Sequence, residues 1–254
     1  QGPWLMEEMQ KQAEAVGTIF ENDMIKEVNF TSSPFTLIGE SGTTYTADSV
    51  IICTGAQARW LNLESETKFR GFGVSACATC DGFFYKDKEV MVVGGGNAAV
   101  EEALFLTKFA SKVTLVHRRD SLRAEKLLQQ KILSHPKIDI IWDSAIKEIL
   151  GTDNPKGVTG VLLENTKDKS TKQLDTHGVF VAIGHDPATK IFKDQINMDA
   201  EGYILTDSDS TKTNIKGVFA AGDVKDKTYR QAVTAAGMGC MAALEAEKLL
   251  SEKN

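Results

Sequence analysis

Hydrophobic and polar positions alternate with two different periods along this chain, and the switches between them mark its elements. Near the start, Trp4, Leu5, Met9 and Ala13 share a stripe between Glu7, Glu8, Lys11 and Glu14. That is helical spacing, so residues 3–15 are expected to form a helix that Gly17 ends. Residues 18–53 then read as short strands. The runs 35–38 and 43–46 flank Gly39-Glu40-Ser41-Gly42, a hairpin signal. The β-rich run 49–53 stops at Thr54-Gly55-Ala56. Residues 59–73 are polar with little periodicity and read as a linker.

The middle of the chain follows a simpler pattern. A hydrophobic run at 89–93 leads into Gly94-Gly95-Gly96-Asn97-Ala98-Ala99, and helical spacing follows over 100–110. A strand at 112–116, a helix at 122–133 and a strand at 138–142 complete a doubly wound parallel unit. Segments 145–150, 157–164 and 171–174 read as an antiparallel meander placed before a further strand at 179–183. Gly184-His185-Asp186-Pro187 is a second linker candidate. Short strands are expected at 203–205 and 218–221, the latter running into Gly222-Asp223. The last helix, 229–250, is apolar on most faces through Leu244, so its burial is expected.

Composition narrows the function classes. With 254 residues, 42% hydrophobic and 25% charged, the chain can bury one large core or two domains. A net charge of −6 and a pI near 5.4 argue against nucleic-acid binding and against a polybasic membrane anchor. No apolar run reaches the length of a membrane span and no charged-then-apolar leader is seen, so a cytoplasmic protein is expected. The 4 cysteines are too few and too unevenly spaced for a disulfide framework.

Cys77 and Cys80 stand three apart with Asp81 directly after. On a helical turn such positions share a face, so the two sulfurs can close a local disulfide, with Asp81 beside them as proton donor or acceptor. Zinc needs four ligands, and no second C-x-x-C or His pair lies at ligand spacing. A static disulfide does not suit a reducing compartment, which leaves catalytic redox use as the expectation. Cys53, ending a strand, and Cys240, in the last helix, read as small core hydrophobes.

Gly94-x-Gly96-x-x-Ala99, between a strand and a helix, has the setting of a dinucleotide fingerprint. There the glycines let the backbone approach a pyrophosphate at a helix N-terminus. An NAD site would place an acid near the end of the next strand. Here His117-Arg118-Arg119 follows Val116, with Arg123 one turn on. Guanidinium forks suit a 2′-phosphate, so NADP(H) is preferred. Gly222-Asp223, ahead of a helix opening near Tyr229-Arg230-Gln231-Ala232, suits a ribityl or ribose hydroxyl and a flavin ring carrying negative charge. Taken alone that signal is unspecific, as is Thr54-Gly55-Ala56. His135 and His177 read as surface or loop residues, and His185 as a structural linker contact.

Taken together, these stretches resemble the low-molecular-weight, bacterial-type thioredoxin reductases. The matching motifs are Ala76-Cys77-Ala78-Thr79-Cys80-Asp81-Gly82, Gly94-Gly95-Gly96-Asn97-x-Ala99-Val100-Glu101-Glu102-Ala103 and His117-Arg118-Arg119-Asp120 with Arg123. Ala182-Ile183-Gly184-His185, Gly217-Val218-Phe219-Ala220-Ala221-Gly222-Asp223, Tyr229-Arg230-Gln231-Ala232 and Gly239-Cys240-Met241-Ala242-Ala243-Leu244 continue the match over essentially the whole chain.

The resemblance implies an α/β fold with two nucleotide-binding Rossmann-like domains, parallel sheets plus an antiparallel meander. An NADPH domain (59–184) is inserted into a split FAD domain (1–58 and 185–254). Electrons would pass from NADPH to FAD, from FAD to the cysteine disulfide, and on to the disulfide of thioredoxin. Cys80 would face the flavin, Cys77 attack thioredoxin, and Asp81 act as acid and base. Gly94, Gly96, Asn97, Ala99, His117, Arg118, Arg119 and Arg123 would bind NADPH. Thr54, Gly55, Gly222, Asp223, Arg230, Gln231 and Ala232 would contact FAD. No metal is implied. Family members are homodimers and rotate one domain against the other about few-residue hinges.

Two departures stand out. Ala98 and Met238 replace small hydroxyl residues of many relatives. The family also opens with a strand and a G-x-G-x-x-G helix for the FAD pyrophosphate, and no such unit precedes Gly94. An N-terminally truncated FAD domain, short by at least a βαβ unit of about 30 residues, is therefore expected. That keeps a second reading open: an NADP(H)-binding module without functional flavin, an inactive fragment or a scaffold. A related flavoprotein disulfide reductase serving a peroxidase would carry an N-terminal extension with its own C-x-x-C. A ferredoxin-linked reductase would not retain the arginine cluster, and a ferredoxin–NADP reductase would not need the cysteine pair.

Overall fold

The computed structural model describes residues 2–252. They form two compact units, Gln57–Asp186 and the combination of Gln1–Ala56 with Pro187–Asn254. The chain passes from one to the other through Ala56–Ala58 and back through His185–Pro187, two short strands that pair with each other.

The unit Gln57–Asp186 is built on a five-stranded parallel sheet in the order Val74–Ser75, Gly178–Ala182, Glu89–Gly94, Lys112–Val116, Ile138–Ile141. Alternation along one strand shows why the sheet is covered on both faces. Val90 and Val92 point into a core with Ala99, Val100, Ala103 and Leu106 of the helix Asn97–Leu106. Met91 and Val93 point the other way, into a core with Ile149, Val161 and Leu163. These last belong to an antiparallel meander of Ser144–Asp153, Lys156–Asn165 and Thr171–Asp175.

Two expectations for this unit need correction. The helix read over 122–133 forms only as Lys126–Leu133. Leu122 and Ala124 are buried in non-helical backbone, and the Gln129 side-chain amide donates to both their carbonyls, at 3.3 and 2.6 Å. Residues 59–73 are not a linker. They contain the helix Glu64–Phe69, a buried Phe69, and Trp60, Leu61 and Leu63 packed on the meander core. Their polar look comes from charges satisfied internally. The fully buried Glu66 carboxylate accepts the N–H groups of Leu61 (2.8 Å) and Asn62 (3.1 Å) and pairs with Arg70 at 3.3 Å. The Arg70 guanidinium in turn lies 4.0 Å from the Trp60 ring centre.

The other unit joins an antiparallel sheet of Ile25–Asn29, Phe35–Gly39 and Thr44–Ala47 to a parallel pair, Val50–Ile52 with Val218–Ala220. Val28, Phe30, Phe35, Ile52, Phe192 and Val218 share its core. The first helix, Gly2–Ala15, buries none of its residues, and Gly17 ends it in a left-handed conformation (φ 93°). The run 203–205 is not a strand; Ile204 makes a single bridge with Met198. The long helix is Ala232–Ser251, and it is not buried as expected: only Ala242 and Ala246 are fully covered, against Phe219 and Ala221, with Met238 and Leu249 partly so. Small residues let it lie close along one narrow stripe, while Val233, Met241 and Leu244 stay exposed. Cys53 and Cys240 are likewise exposed, not core residues.

Candidate active site

The edge strand Val74–Ser75 delivers the cysteine turn. Cys77 precedes a one-turn helix, Ala78–Asp81, and its N–H donates to the Ser75 hydroxyl at 3.0 Å. Cys77 and Cys80 form a disulfide across that turn, with Cα atoms 5.3 Å apart. The two sulfurs are not equivalent. The Cys77 sulfur accepts the Cys80 N–H at 3.2 Å and has the Thr79 hydroxyl at 3.3 Å. Such contacts favour negative charge, so on opening the thiolate is better stabilised at Cys77. Asp81 is half-buried beside the turn. Burial and the Asp81 charge together push the Tyr85 phenol above its ordinary range.

Gly82 belongs to the family motif, but the sequence assigns no role to Phe83 and Phe84 after it. Gly82 is buried, and a Cβ on it would lie 3.1 Å from Leu106, so a glycine lets the turn press onto the helix. The 3-10 turn Gly82–Tyr85 then exposes two adjacent aromatic rings, Phe83 at 68% and Phe84 at 70%. Phe83 stands edge-on to Phe109. The available signal was a Phe-Phe pair immediately after the C-x-x-C-D-G motif.

The glycine turn lies at the carboxyl edge of the same sheet, after its central strand. A Cβ on Gly94 would fall 2.4 Å from the Ala182 carbonyl and 2.5 Å from the Ala99 Cβ. Gly96, at the N-cap of the helix Asn97–Leu106, faces open space instead. Asn97 accepts the Glu125 N–H at 2.8 Å, tying the helix start to the basic loop. Arg118, Arg119 and Arg123 are exposed, and among the described residues none is paired with a carboxylate. His117 does not stand with them. Its ring is buried, and burial lowers its pKa below the ordinary imidazole value against the raising effect of the Ser121 and Gly94 backbone.

In the other unit the parallel pair Val50–Ile52 and Val218–Ala220 brings Thr54-Gly55 and Gly222-Asp223 to a common carboxyl edge, where the Ala221 N–H donates to Ile52 at 3.0 Å. Ligands of open α/β sheets bind at such an edge. The Thr54 hydroxyl donates to the Ala188 carbonyl at 2.8 Å. Gly55 and Gly222 both adopt left-handed φ, 73° and 74°. A Cβ on Gly222 would lie 3.4 Å from the Ala235 Cβ in the first turn of the long helix, so the helix start lies beside it. The Asp223 carboxyl is raised, by burial first and by Asp226, against the pull of Arg230.

Asp226 is a further residue that the sequence reading missed. Its buried carboxylate accepts the N–H groups of Thr228 (2.9 Å), Tyr229 (2.9 Å) and Arg230 (3.2 Å). This cage holds Arg230 at φ 49°, a conformation rarely adopted outside glycine. Gln231 then caps the helix through Thr234. An acid two residues before Thr228 is the spacing of an Asx turn, the one signal available. Among the described residues no cluster of three His, Cys, Asp or Glu is placed to hold a metal ion, and no helix is long and apolar enough to cross a membrane.

A disulfide and a dinucleotide-type turn on one parallel sheet define a nucleotide-linked disulfide oxidoreductase, and the family model of pyridine nucleotide-disulphide oxidoreductases matches residues 5–239. A thioredoxin reductase of Rickettsia bellii is 61% identical over 252 residues, covering 99% of this chain and 81% of that protein. One of Coxiella burnetii is 56% identical over 261 residues, again covering 81% of its length. The structure of thioredoxin reductase from Giardia duodenalis superimposes with a TM-score of 0.94 at 45% identity, over 99% of this chain and 82% of that one. The chain belongs to the thioredoxin reductases of bacterial type within that family.

Proposed function

We propose that the chain catalyses NADPH-dependent reduction of the thioredoxin disulfide, through bound FAD and the Cys77/Cys80 pair. The observation that carries this reading is the Cys77–Cys80 disulfide beside exposed Phe83 and Phe84, on the sheet edge that also holds the glycine turn. In this reading Gln57–Asp186 is the NADPH domain and the other unit is the FAD domain, with a homodimer in the cytoplasm as the working form.

The residues present fit NADPH and the ribityl and ring portion of FAD. Open space above Gly96 and three exposed, acid-free arginines suit a pyrophosphate and a 2′-phosphate. Gly55, Asp223, Arg230 and the N-terminus of Ala232–Ser251 suit the ribityl and ring portion of a flavin. When bound, the two groups supply a pair of electrons taken from the nicotinamide. The chain's own residues do the rest. Opening the disulfide leaves a thiolate, favoured at Cys77, that attacks a sulfur of the partner disulfide, and the partner's other sulfur departs as a thiolate. Cys80 then attacks the mixed disulfide at Cys77, re-forming the intramolecular bond and releasing the partner as a dithiol. Asp81 is the nearest acid in sequence to donate and accept the accompanying protons. Phe83 and Phe84 offer the apolar surface on which a protein substrate docks.

The test measures NADPH-driven reduction of a thioredoxin disulfide by the chain and by Cys80→Ser. The variant should be inactive and should hold thioredoxin as a mixed disulfide through Cys77. Equal activity in both would sink the reading. A purified protein that stays colourless after FAD is supplied would favour the flavin-free module instead.

A further inference from the structure

His117 leaves the carboxyl end of the strand Lys112–Val116 with its main chain fixed on both sides. Its N–H donates to the Ile141 carbonyl at 2.9 Å, and its own carbonyl accepts from Ser144 at 3.0 Å. The ring is therefore aimed. It lies edge-on to Trp142, with centroids 6.3 Å apart, and directly beneath Gly95. A Cβ on Gly95 would fall 2.2 Å from Cε1, 2.3 Å from Nδ1 and 2.7 Å from Nε2 of that ring, so only glycine fits over it. From the other side, the Arg123 N–H donates to the Gly95 carbonyl at 2.7 Å. Gly95 is thus clamped between an imidazole and the backbone of the basic loop.

The ring is 5% exposed, and its Nε2 is buried without a hydrogen-bond partner. A buried polar atom left unpaired costs stability that a purely apolar ring would avoid. The covered ring presents no surface to a phosphate. It touches Gly95, which, beside the Asn97–Glu125 contact, links the pyrophosphate turn to the loop of Arg118, Arg119 and Arg123.

We propose that His117 is a positioning residue for the dinucleotide, its ring fixing the separation between the glycine turn and the arginine cluster so that one NADPH meets both together. The inference rests on the NADPH reading of this site. Two subsites at a fixed spacing bind a spanning ligand as a bivalent receptor does. Loosening the spacer weakens the ligand that spans both subsites and spares ligands that touch only one.

The test is calorimetric and uses the full chain with three probes: 2′-AMP for the arginine cluster, ADP for the glycine turn, and 2′-phospho-ADP-ribose for both. His117→Ala should weaken the spanning probe about tenfold while 2′-AMP and ADP change less than about twofold, a modest part of the gain bivalency gives. His117→Phe keeps a ring under Gly95 and should retain the spanning affinity, which also guards against a variant that fails to fold. Gly95→Ala, which drives a methyl into the ring, should lose spanning affinity, and Gly95→Ala with His117→Ala should recover it as the methyl fills the vacated space. Equal loss of 2′-AMP and the spanning probe in His117→Ala would make His117 a direct ligand and overturn the proposal. So would unchanged spanning affinity, or a loss in His117→Phe as large as in His117→Ala. A parent chain that does not bind 2′-AMP, or an Arg118→Ala, Arg119→Ala variant that binds it undiminished, would instead refute the NADPH reading.

Discussion

Phe84 offers a direct test of how a protein disulfide is recognised. It is 70% exposed on the turn that follows the Cys77–Cys80 disulfide, and its neighbour Phe83 is 68% exposed with a centroid 6.4 Å away. Burying a whole Phe side chain from full exposure stabilises by about 1.5–3 kcal/mol. Roughly 70% of that remains available to a partner, which is about 1–2 kcal/mol. Converted at 1.4 kcal/mol per factor of ten, Phe84→Ala should raise KM for thioredoxin about 5- to 30-fold. Folding stability should hardly change, because little of the ring is covered by the chain itself. The assay compares steady-state reduction of thioredoxin with that of a small aromatic disulfide such as 5,5′-dithiobis(2-nitrobenzoate), using the FAD-loaded chain. Phe84→Ala should leave the small substrate's kcat/KM unchanged. A thioredoxin KM within twofold of the parent would refute the docking surface, and so would a parallel fall for both substrates. Phe83 also packs on Phe109, so Phe83→Ala should cost stability as well as docking, and the double variant should fall short of additivity.

Further expectations concern residues that shape the site without touching substrate. Glu66→Ala strands the N–H groups of Leu61 and Asn62 and takes the carboxylate from a partly exposed Arg70, a loss of about 1–3 kcal/mol or more. Urea unfolding followed by tryptophan fluorescence would show it, and a loss under about 1 kcal/mol would contradict the buried-carboxylate argument. Asp226 titrates below its ordinary value of 3.8: burial pushes it up, but the N–H groups of Tyr229, Thr228 and Arg230 and the Thr234 hydroxyl outweigh that. A carboxyl with a depressed folded pKa contributes stability that is fully present above the unfolded value and lost as pH falls through the folded one. The stability gap between the parent and Asp226→Asn should therefore be constant from neutral pH to about pH 5 and shrink below pH 4. A gap that stays constant into acid would show that the charge does not hold the Arg230 loop.

What was legible in the sequence was chemistry set by local spacing. Cys77 and Cys80 lie on one turn, and the glycines of 94–96 lie between a strand and a helix, because both relations are fixed by a few backbone dihedrals. Burial could not be read the same way. The segment 59–73 looks like a linker until Glu66 and Arg70 are seen to satisfy each other inside. His117 shares a basic run with Arg118 and Arg119, but it is the last residue in line with the strand, so its side chain turns inward under Gly95 while theirs turn out. The last helix carries enough apolar positions to be buried, yet it meets the sheet only along the stripe of Ala242 and Ala246, with Met238 and Leu249 partly covered beside them. Asp226 and the Phe83/Phe84 pair act through contacts made by other segments or through exposure itself, and neither leaves a periodic trace.

The order of strands in Gln57–Asp186 bears on why the reaction needs an intermediary. The strands that feed the disulfide and the glycine turn flank Gly178–Ala182 on opposite sides, and all three run parallel. At about 4.8 Å per strand, the two feeding strands stand about 10 Å apart on one rigid edge. Reacting atoms must approach to about 3–3.5 Å, and a packed sheet does not flex over the difference. A pyrophosphate held at the glycine turn stands that far from the cysteine turn, and the intervening strand, Gly-Val-Phe-Val-Ala, carries no redox-active side chain to pass electrons across. Reduction of Cys77–Cys80 should then depend strictly on flavin. Added to the flavin-free chain, NADPH should leave the thiol count unchanged; added after loading with FAD, it should expose two further thiols to a thiol reagent. Two new thiols in the flavin-free chain would show that the sheet's spacing is no barrier, and would remove the physical reason for a carrier.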